Sequence, residues 1–170
     1  SQSRHWQWMQ LFPFPYDPWF TVALISDGGF KRMSSWGYRT FEDDIACDWL
    51  EDLYDSDPIA FFVKCRDLEG RDDLDFLACI GVVCTAEILC GVTKQPRIGI
   101  PDRAVRWCME HRDLRCRYLI PRAIKGMRLV LADRSEMWVR WEDDEERFND
   151  WKKHQQELLQ CLEDPFSDST

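Results

Sequence analysis

The sequence lacks the motifs that would identify a common chemistry. None of its eight cysteines forms a Cys-x-x-Cys pair, which excludes zinc-ribbon and thioredoxin-like sites. It contains no Gly-rich phosphate loop, no Gly-x-Ser-x-Gly and no Glu-x-x-His. It also shows no secretory signal with a basic start, an apolar run and a small-residue cleavage site. The sequence therefore favours a cytoplasmic protein whose cysteines are buried free thiols rather than a disulfide framework.

Long apolar runs are also scarce. The strongest one, Phe76 to Ala86, is bracketed by Asp75 and Glu87 and is too short to cross a bilayer. We interpret it as part of a buried core helix, and we expect no contact with a membrane.

Acidic charge, by contrast, is abundant. The 170 residues are 45% hydrophobic and 31% charged, with a net charge of −9, which is typical of one globular domain. A negative chain is repelled by nucleic acid and by anionic lipid, so cationic partners or metal ions are favoured. The nine tryptophans are expected to line packing seams or a partner surface.

Residues 1–32 differ from the rest of the chain. They carry three prolines and three tryptophans and show no helical periodicity, with one strand-like run at Phe20 to Ile25. Two interpretations remain open: Met33 is the natural start and these residues are a translated leader or an artificial extension, or they form an arm whose aromatic side chains dock on the domain. The helical domain is predicted over residues 33–163, and residues 164–170 form a frayed tail.

The periodicity after residue 40 predicts an all-α bundle of five to seven helices. A first helix carries an apolar residue every four positions, at Phe41, Ile45, Trp49 and Leu53. Thr40 and Asp43 have the spacing of a capping box, which starts this helix at Thr40. Asp57 and Pro58 then predict the start of a second helix, because Asp caps a helix and proline suits its first turn.

Five further segments complete the predicted bundle. A helix that is apolar almost all round is expected from about Asp73 to Cys90, with Gly91 as its C-terminal cap. Pro101 and Asp102 begin the next. Pro121 marks either a kink or the true start of a helix expected from Leu114 to Ala132. Two more are expected at the C-terminal end: a short helix capped by Ser135 and a last helix from about Asp144 to Leu162.

Charge is segregated along the chain. Eight acidic and no basic residues lie between Phe41 and Asp57, and four of them share one side of the first helix: Asp44, Asp48, Glu51 and Asp55. Ten basic residues lie between Lys94 and Arg128 against three acidic ones. Two accounts remain open: internal complementarity with solvated surface elsewhere, or a carboxylate stripe that binds a cation or a basic partner.

The spacing Asp43-Asp44-x-x-x-Asp48 resembles the aspartate-rich motifs that bind magnesium in helical phosphohydrolases. Carboxylates one helical turn apart, such as Asp44 and Asp48, can share Mg²⁺ or Mn²⁺, which prefer oxygen ligands. The second acidic run, Glu142 to Glu146, would complete a two-metal site.

Two further patterns carry a weaker signal. Cys108-x-x-His111 places a thiol and an imidazole on one helical face, either as a nucleophile pair or half of a metal site, or as a packed cysteine beside a surface histidine. The basic segment from Arg112 to Arg128 suits nucleic acid, but the net charge of the chain and the single interleaved aromatic residue, Tyr118, oppose that.

The chain from about Met33 to Leu162 resembles a family of bacterial proteins catalogued as domain of unknown function 4259. The resemblance rests on the opening Ser-Trp-Gly-Tyr-Arg-Thr-Phe-Glu-Asp-Asp-Ile-Ala-Cys-Asp-Trp-Leu, residues 35–50, and on Ser135-Glu136-Met137-Trp138 followed by Trp141 and Trp151. Arg39 replaces a common glycine, and Asp43 stands where asparagine is usual. The resemblance implies a natural start near Met33 and implies no activity.

Two functions fit these observations. The first is a cytosolic binding or regulatory protein, similar in role to an immunity protein, that engages a basic partner through the acidic face. Its expected contacts are Trp36, Asp44, Asp48, Glu51 and Asp55, with Trp36 as an aromatic anchor. Alternatively, Trp36 folds back onto the first helix, and Gly37 permits the turn without any ligand. The second function is a divalent-metal phosphohydrolase using Asp44 and Asp48.

Overall fold

The computed structural model describes residues 35–68, 71 and 74–165, and these residues form an all-α bundle. The described part contains seven α-helices, at the upper end of the predicted number, and one 3₁₀ turn at Arg117–Leu119. The helices are α1 Asp44–Tyr54, α2 Pro58–Cys65, α3 Phe76–Thr93, α4 Asp102–Glu110, α5 Ile120–Val130, α6 Glu136–Glu142 and α7 Phe148–Glu163. The predictions for residues 1–32, the strand-like run and the start at Met33 lie outside the described residues, as does the tail after residue 165.

Side-chain caps begin several of these helices. Asp57 accepts from the Ala60 N–H with Pro58 in the first turn, and Ser135 accepts from the Trp138 N–H, both as predicted. The prediction for α1 was wrong in detail. Asp43, not Thr40, is the cap: its carboxylate accepts from Ile45 at 2.7 Å and Ala46 at 3.0 Å. The Thr40 hydroxyl instead points into the core.

Helix α3 lies at the centre of the bundle and contacts all six other helices. It begins after its Asp75 cap and continues to Thr93, so Gly91 lies within it and is not the C-terminal cap that the sequence predicts. The helix thus begins and ends about three residues later than predicted. By length and composition it suffices to cross a membrane, but 89% of this 18-residue window is buried inside the bundle, as in the core helix of a globular protein.

Close approach to α3 depends on a glycine of α5. A Cβ placed on Gly126 would lie 2.7 Å from the backbone oxygen of Arg66 and 2.9 Å from Val82. Such contacts are shorter than packed atoms tolerate, so α5 can lie this near to α3 only without a side chain at this position. Pro121 occupies the first turn of α5, which decides between the two interpretations of that proline: it marks the start of the helix and not a kink.

The C-terminal tryptophans form a packing seam, as expected for part of the tryptophan content. Trp141 stacks on Trp151 with ring centroids 5.7 Å apart, and Trp138 meets Trp151 edge-on. Phe148 extends the cluster and begins α7, four residues later than predicted. These rings join α6 to α7.

The cysteines differ from the prediction in one respect. Cys90 of α3 and Cys161 of α7 form a disulfide across 71 residues of sequence, where free thiols were expected. The other six are free, and five of them are buried, as expected: Cys65, Cys79, Cys84, Cys108 and Cys116.

Candidate functional site

The predicted acidic face lies on the outer side of α1. Asp44, Glu51 and Asp55 are exposed and Asp48 is partly exposed, while Trp49 and Leu53 on the opposite side are fully buried. The amphipathic pattern therefore turns the four acids outward together. We call these four acids, together with Trp36, the α1 face.

Internal complementarity accounts for Glu51 of this face. The Arg103 guanidinium of α4 donates to both carboxylate oxygens of Glu51 at 3.1 Å and stacks over the Tyr54 ring at 4.1 Å. Within the described residues, Asp44 and Asp55 form no ion pair. Most of this face is thus turned to solvent.

Trp36 lies beside the N-terminal end of α1. Its backbone N–H donates to the Glu42 carbonyl at 3.0 Å, and an isolated antiparallel bridge joins Ser35 to Asp43. The Glu42 side chain fills the space where Gly37 would carry a Cβ. The chain does fold back onto the start of α1, yet the indole remains 58% exposed. The turn is thus built by the backbone, and the ring does not contribute to the core.

Asp52 belongs to α1 but faces inward. Its side chain is buried, and burial together with the carboxylates of Asp48, Asp55 and Glu51 raises its pKa to about 7. The acidic helix therefore holds one carboxyl group that carries a proton in mildly acidic solution.

The geometry does not support the metal hypothesis. The described residues contain no group of three or more His, Cys, Asp or Glu side chains placed to hold a metal ion. Asp44 and Asp48 lie on α1, which packs on α2 and α3, whereas the Glu142 to Glu146 run joins α6 to α7. Within that run, Asp144 binds the Arg147 guanidinium, which lowers the pKa of this aspartate.

Cys108 and His111 do not form a nucleophile pair. Cys108 is fully buried, and burial raises its pKa to about 12. His111 lies at the end of α4, where its ring stacks on Trp107 at 3.9 Å and its Nδ1 lies 2.7 Å from the Trp107 carbonyl oxygen. The packed cysteine beside a surface histidine is the interpretation that the contacts favour.

A buried polar network lies at the centre of the bundle, and the sequence patterns did not reveal it. Its members come from four places: Thr40 before α1, Glu87 within α3, Arg97 in the loop after α3, and His154 in α7. The Thr40 hydroxyl donates to Glu87 Oε2 at 2.8 Å, and Arg97 Nη1 donates to the same oxygen at 3.2 Å. We call these four residues the Glu87 network.

The hydrogen-bond pattern assigns the proton on His154. Arg97 Nη2 can only donate, and it lies 3.3 Å from His154 Nδ1, so Nδ1 accepts. Nε2 of the neutral ring then carries the hydrogen and donates to the Thr40 hydroxyl at 3.3 Å. Donation thus runs from His154 to Thr40 and on to Glu87.

Burial dominates the electrostatics of this network. It lowers the pKa of His154 to about 4, with Arg97 and Arg39 acting in the same direction. Burial also raises the pKa of Glu87, against the opposing effects of Arg97 and Thr40. Among the described residues, Glu87 Oε1 finds no hydrogen-bond partner. The network connects the segment before α1 to α3 and α7. Its enclosed position favours a structural role over a catalytic one.

A cavity of about 830 Å³ opens where α3 and α7 end. We call it the α3–α7 cavity. Its wall includes cationic side chains, carboxylates and one residue of the disulfide: Lys94, Arg112, Arg117, Glu157, Cys161 and Asp164. Lys94 Nζ donates to the carbonyls of Cys161 and Asp164, and Arg112 donates to those of Val92 and Lys94. These cations satisfy carbonyl groups at the C-terminal ends of both helices.

Comparison with known proteins establishes the family. No curated protein and no solved structure shows significant similarity to the chain. Residues 34–154 match the family described as Domain of unknown function (DUF4259), which covers both the segment that carries Trp36 and the whole Glu87 network. The chain therefore belongs to the DUF4259 family.

Proposed function

We propose that this protein is a cytoplasmic binding module, regulatory in the manner of an immunity protein, that recognises a basic protein partner through the α1 face. The observation that carries the proposal is the exposed Trp36 indole, held by backbone hydrogen bonds beside the N-terminal end of a helix with outward-facing acids. An exposed aromatic ring is a frequent anchor at an interface centre, and the acids of α1 would steer a basic partner toward it.

Three features support this role for the α1 face. The ring is 58% exposed although the chain around it is fixed, so its position is not explained by packing. Asp44 and Asp55 have no described ion-pair partner to be displaced on binding. The net charge of −9 would speed the approach of a cationic partner.

The remaining chemistry supports binding over turnover. The buried thiols have raised pKa values, and the carboxylate and imidazole of the Glu87 network are enclosed in the core. In the part of the chain that the structure describes, neither these thiols nor the Glu87 network is presented to a substrate.

The test is quantitative capture with variants matched for charge. The full chain is compared with Asp44→Asn/Asp48→Asn/Asp55→Asn and with Glu142→Gln/Glu145→Gln/Glu146→Gln, which removes three exposed charges from the α6–α7 turn. Trp36→Ala forms a fourth sample. Proteins from a bacterial lysate are crosslinked, identified by mass and then purified for titration.

We expect a basic protein that binds the unmodified chain and the α6–α7 variant equally. Its affinity for the α1 variant and for Trp36→Ala should fall by about tenfold or more, since central anchors cost over 1 kcal/mol each. A partner that binds all four samples alike would show that the α1 face is not the binding surface.

A further inference from the structure

The Cys90–Cys161 disulfide is asymmetric. Cys90 lies within α3 and is fully buried, whereas Cys161 is partly exposed and lines the α3–α7 cavity. Cys161 is thus the more accessible of the two half-cystines to a thiol that enters this cavity. The bond joins the central helix to the last helix, near the C-terminal ends of both.

The cavity supplies a suitable environment for thiol–disulfide exchange. Lys94, Arg112 and Arg117 lie in its wall, opposed by the carboxylates of Glu157 and Asp164. Lysine and arginine side chains close to a sulfur stabilise the thiolate, which is the reactive form. Lys94 is also tied to the carbonyl of Cys161, so one of these cations is held on the same residue.

The free cysteines offer no comparable position. Burial raises the pKa of Cys65, Cys79 and Cys108 to about 12, and the pKa of Cys84 and Cys116 is raised as well. Cys47 is half-buried, and burial with the carboxylates of Asp43, Asp44 and Asp48 raises its pKa. Thiol chemistry in the described chain therefore concentrates at Cys161.

We propose that Cys161 is a thiol–disulfide exchange site and that the Cys90–Cys161 bond is a redox-controlled clasp between α3 and α7, opened by a small dithiol reductant. The reductant's thiolate attacks Cys161 Sγ and forms a mixed disulfide, and Cys90 Sγ leaves with the electron pair and takes up a proton. The second thiol of the reductant then attacks its own bound sulfur and releases Cys161. The protein disulfide gains two electrons, and the reductant becomes a cyclic disulfide.

Opening the clasp loosens the end of α7. After reduction, the contacts that hold the last turn include the buried side chain of Leu162, the Arg128–Glu163 ion pair at 2.6 Å and the bonds of Lys94 to two carbonyls. The ion pair and the bond from Lys94 to the Asp164 carbonyl are solvent-exposed polar contacts, which hold a helix end weakly. Reduction thus changes one wall of the α3–α7 cavity while the rest of the bundle remains closed.

The experiment uses the full, folded chain and three readouts. Glutathione, a monothiol, is added and the reaction is stopped with acid to trap the mixed disulfide, which is located by peptide mass. Dithiothreitol followed by N-ethylmaleimide then measures the labelling rate of each cysteine. Hydrogen exchange over residues 156–163 is compared between the oxidised and reduced protein, with Cys47→Ser as a control that leaves the disulfide intact.

We expect glutathione on Cys161 and not on Cys90, and labelling of Cys161 at least about tenfold faster than Cys90 after reduction, because accessibility limits the buried thiol. Hydrogen exchange of residues 156–163 should accelerate on reduction in the parent and in Cys47→Ser alike. The proposal is overturned if the native protein contains Cys90 and Cys161 as free thiols, if reduction requires a denaturant, if glutathione attaches to Cys90, or if exchange at the end of α7 does not change.

Discussion

The Glu87 network buries and pairs its carboxylate, whereas the α1 face exposes its carboxylates to solvent. Glu87 is 1% exposed and shares one oxygen between Thr40 and Arg97, whereas Asp44 and Asp55 stand in solvent without a described ion pair. A buried charge must be compensated where it lies, so its neighbours become indispensable to the fold. An exposed charge is compensated by water and remains available to a partner. The same residue type thus serves stability in one region and, under the proposed function, recognition in the other.

The largest expected effect on stability comes from removing the cation of the Glu87 network, compared with removing the cation that pairs with the α1 face. Arg97→Met leaves Glu87 without its buried counter-ion and should lower the free energy of unfolding by about 3 kcal/mol or more. Arg103→Met removes the exposed partner of Glu51 and its stacking on Tyr54, and should cost about 1 kcal/mol. Urea denaturation of both variants measures the difference, and equal losses would show that the two regions do not differ as described.

The next effect separates the one inward acid of α1 from the outward ones. Because the pKa of Asp52 is raised to about 7, the folded state holds a proton that the unfolded state has lost above pH 4. The stability that this proton supplies is complete below pH 4 and disappears as the pH rises through 7. Asp52→Asn should therefore stabilise the protein at pH 8 by about 1–2 kcal/mol and remove that slope.

Unfolding of Asp52→Asn is followed by urea titration at pH 5 and pH 8, with the exposed Asp44→Asn as the matched control. We expect a stability gain that is larger at pH 8 than at pH 5 for Asp52→Asn, and no such gain for Asp44→Asn. A loss of stability at pH 8 in Asp52→Asn would contradict the buried, protonated state of this carboxyl group.

His154 should show a pH dependence of the opposite sign. Its folded pKa is lowered to about 4, so between pH 6.5 and 4 the unfolded state binds a proton that the folded state excludes. The contribution of neutral His154 is complete above pH 6.5 and declines as the pH falls. His154→Gln should remove this decline, which thermal unfolding at pH 7 and pH 5 measures. An unchanged acid slope in the variant would show that His154 titrates normally in the folded protein.

The smallest expected effect is on the stability of the α1 face itself. Asp44→Asn/Asp48→Asn/Asp55→Asn removes like charges one turn apart and an acid at the C-terminal end of the helix, while it loses a favourable charge in the first turn. These terms offset one another, so the free energy of unfolding should change by about 0.5 kcal/mol or less. A loss of several kcal/mol in urea denaturation would show that the α1 face stabilises the folded state.

Local signals predicted much of the fold. The Asp57-Pro58 and Ser135 caps and the apolar face of α1 follow from hydrogen bonding and periodicity within one turn, and the structure confirms them. The predicted start of α1 is wrong because Thr40 and Asp43 both suit a cap, and only the contact of Thr40 with Glu87, 47 residues away, decides between them. The family resemblance is confirmed over residues 34–154.

The candidate sites were predictable to different degrees. The outward position of Asp44, Glu51 and Asp55 follows from helical spacing, whereas the Glu87 network depends on tertiary contacts. A single carboxylate inside an otherwise apolar helix was the available signal for Glu87, but on the sequence alone it marks only the end of an apolar run. Its partner Arg97 comes from a loop, and no periodicity places a loop side chain. Local sequence patterns likewise could not predict the pairing of Cys90 with Cys161 across 71 residues.

The most direct test of the contrast between stability and recognition measures both quantities on one variant. The captured basic partner is titrated by calorimetry into Asp44→Asn/Asp48→Asn/Asp55→Asn and into Glu142→Gln/Glu145→Gln/Glu146→Gln, after urea denaturation has shown that both are folded. We predict a Kd raised by about tenfold or more in the α1 variant alone, with unfolding free energies that match the parent's within about 0.5 kcal/mol. A Kd that is the same in both variants would contradict the role of the α1 face in recognition.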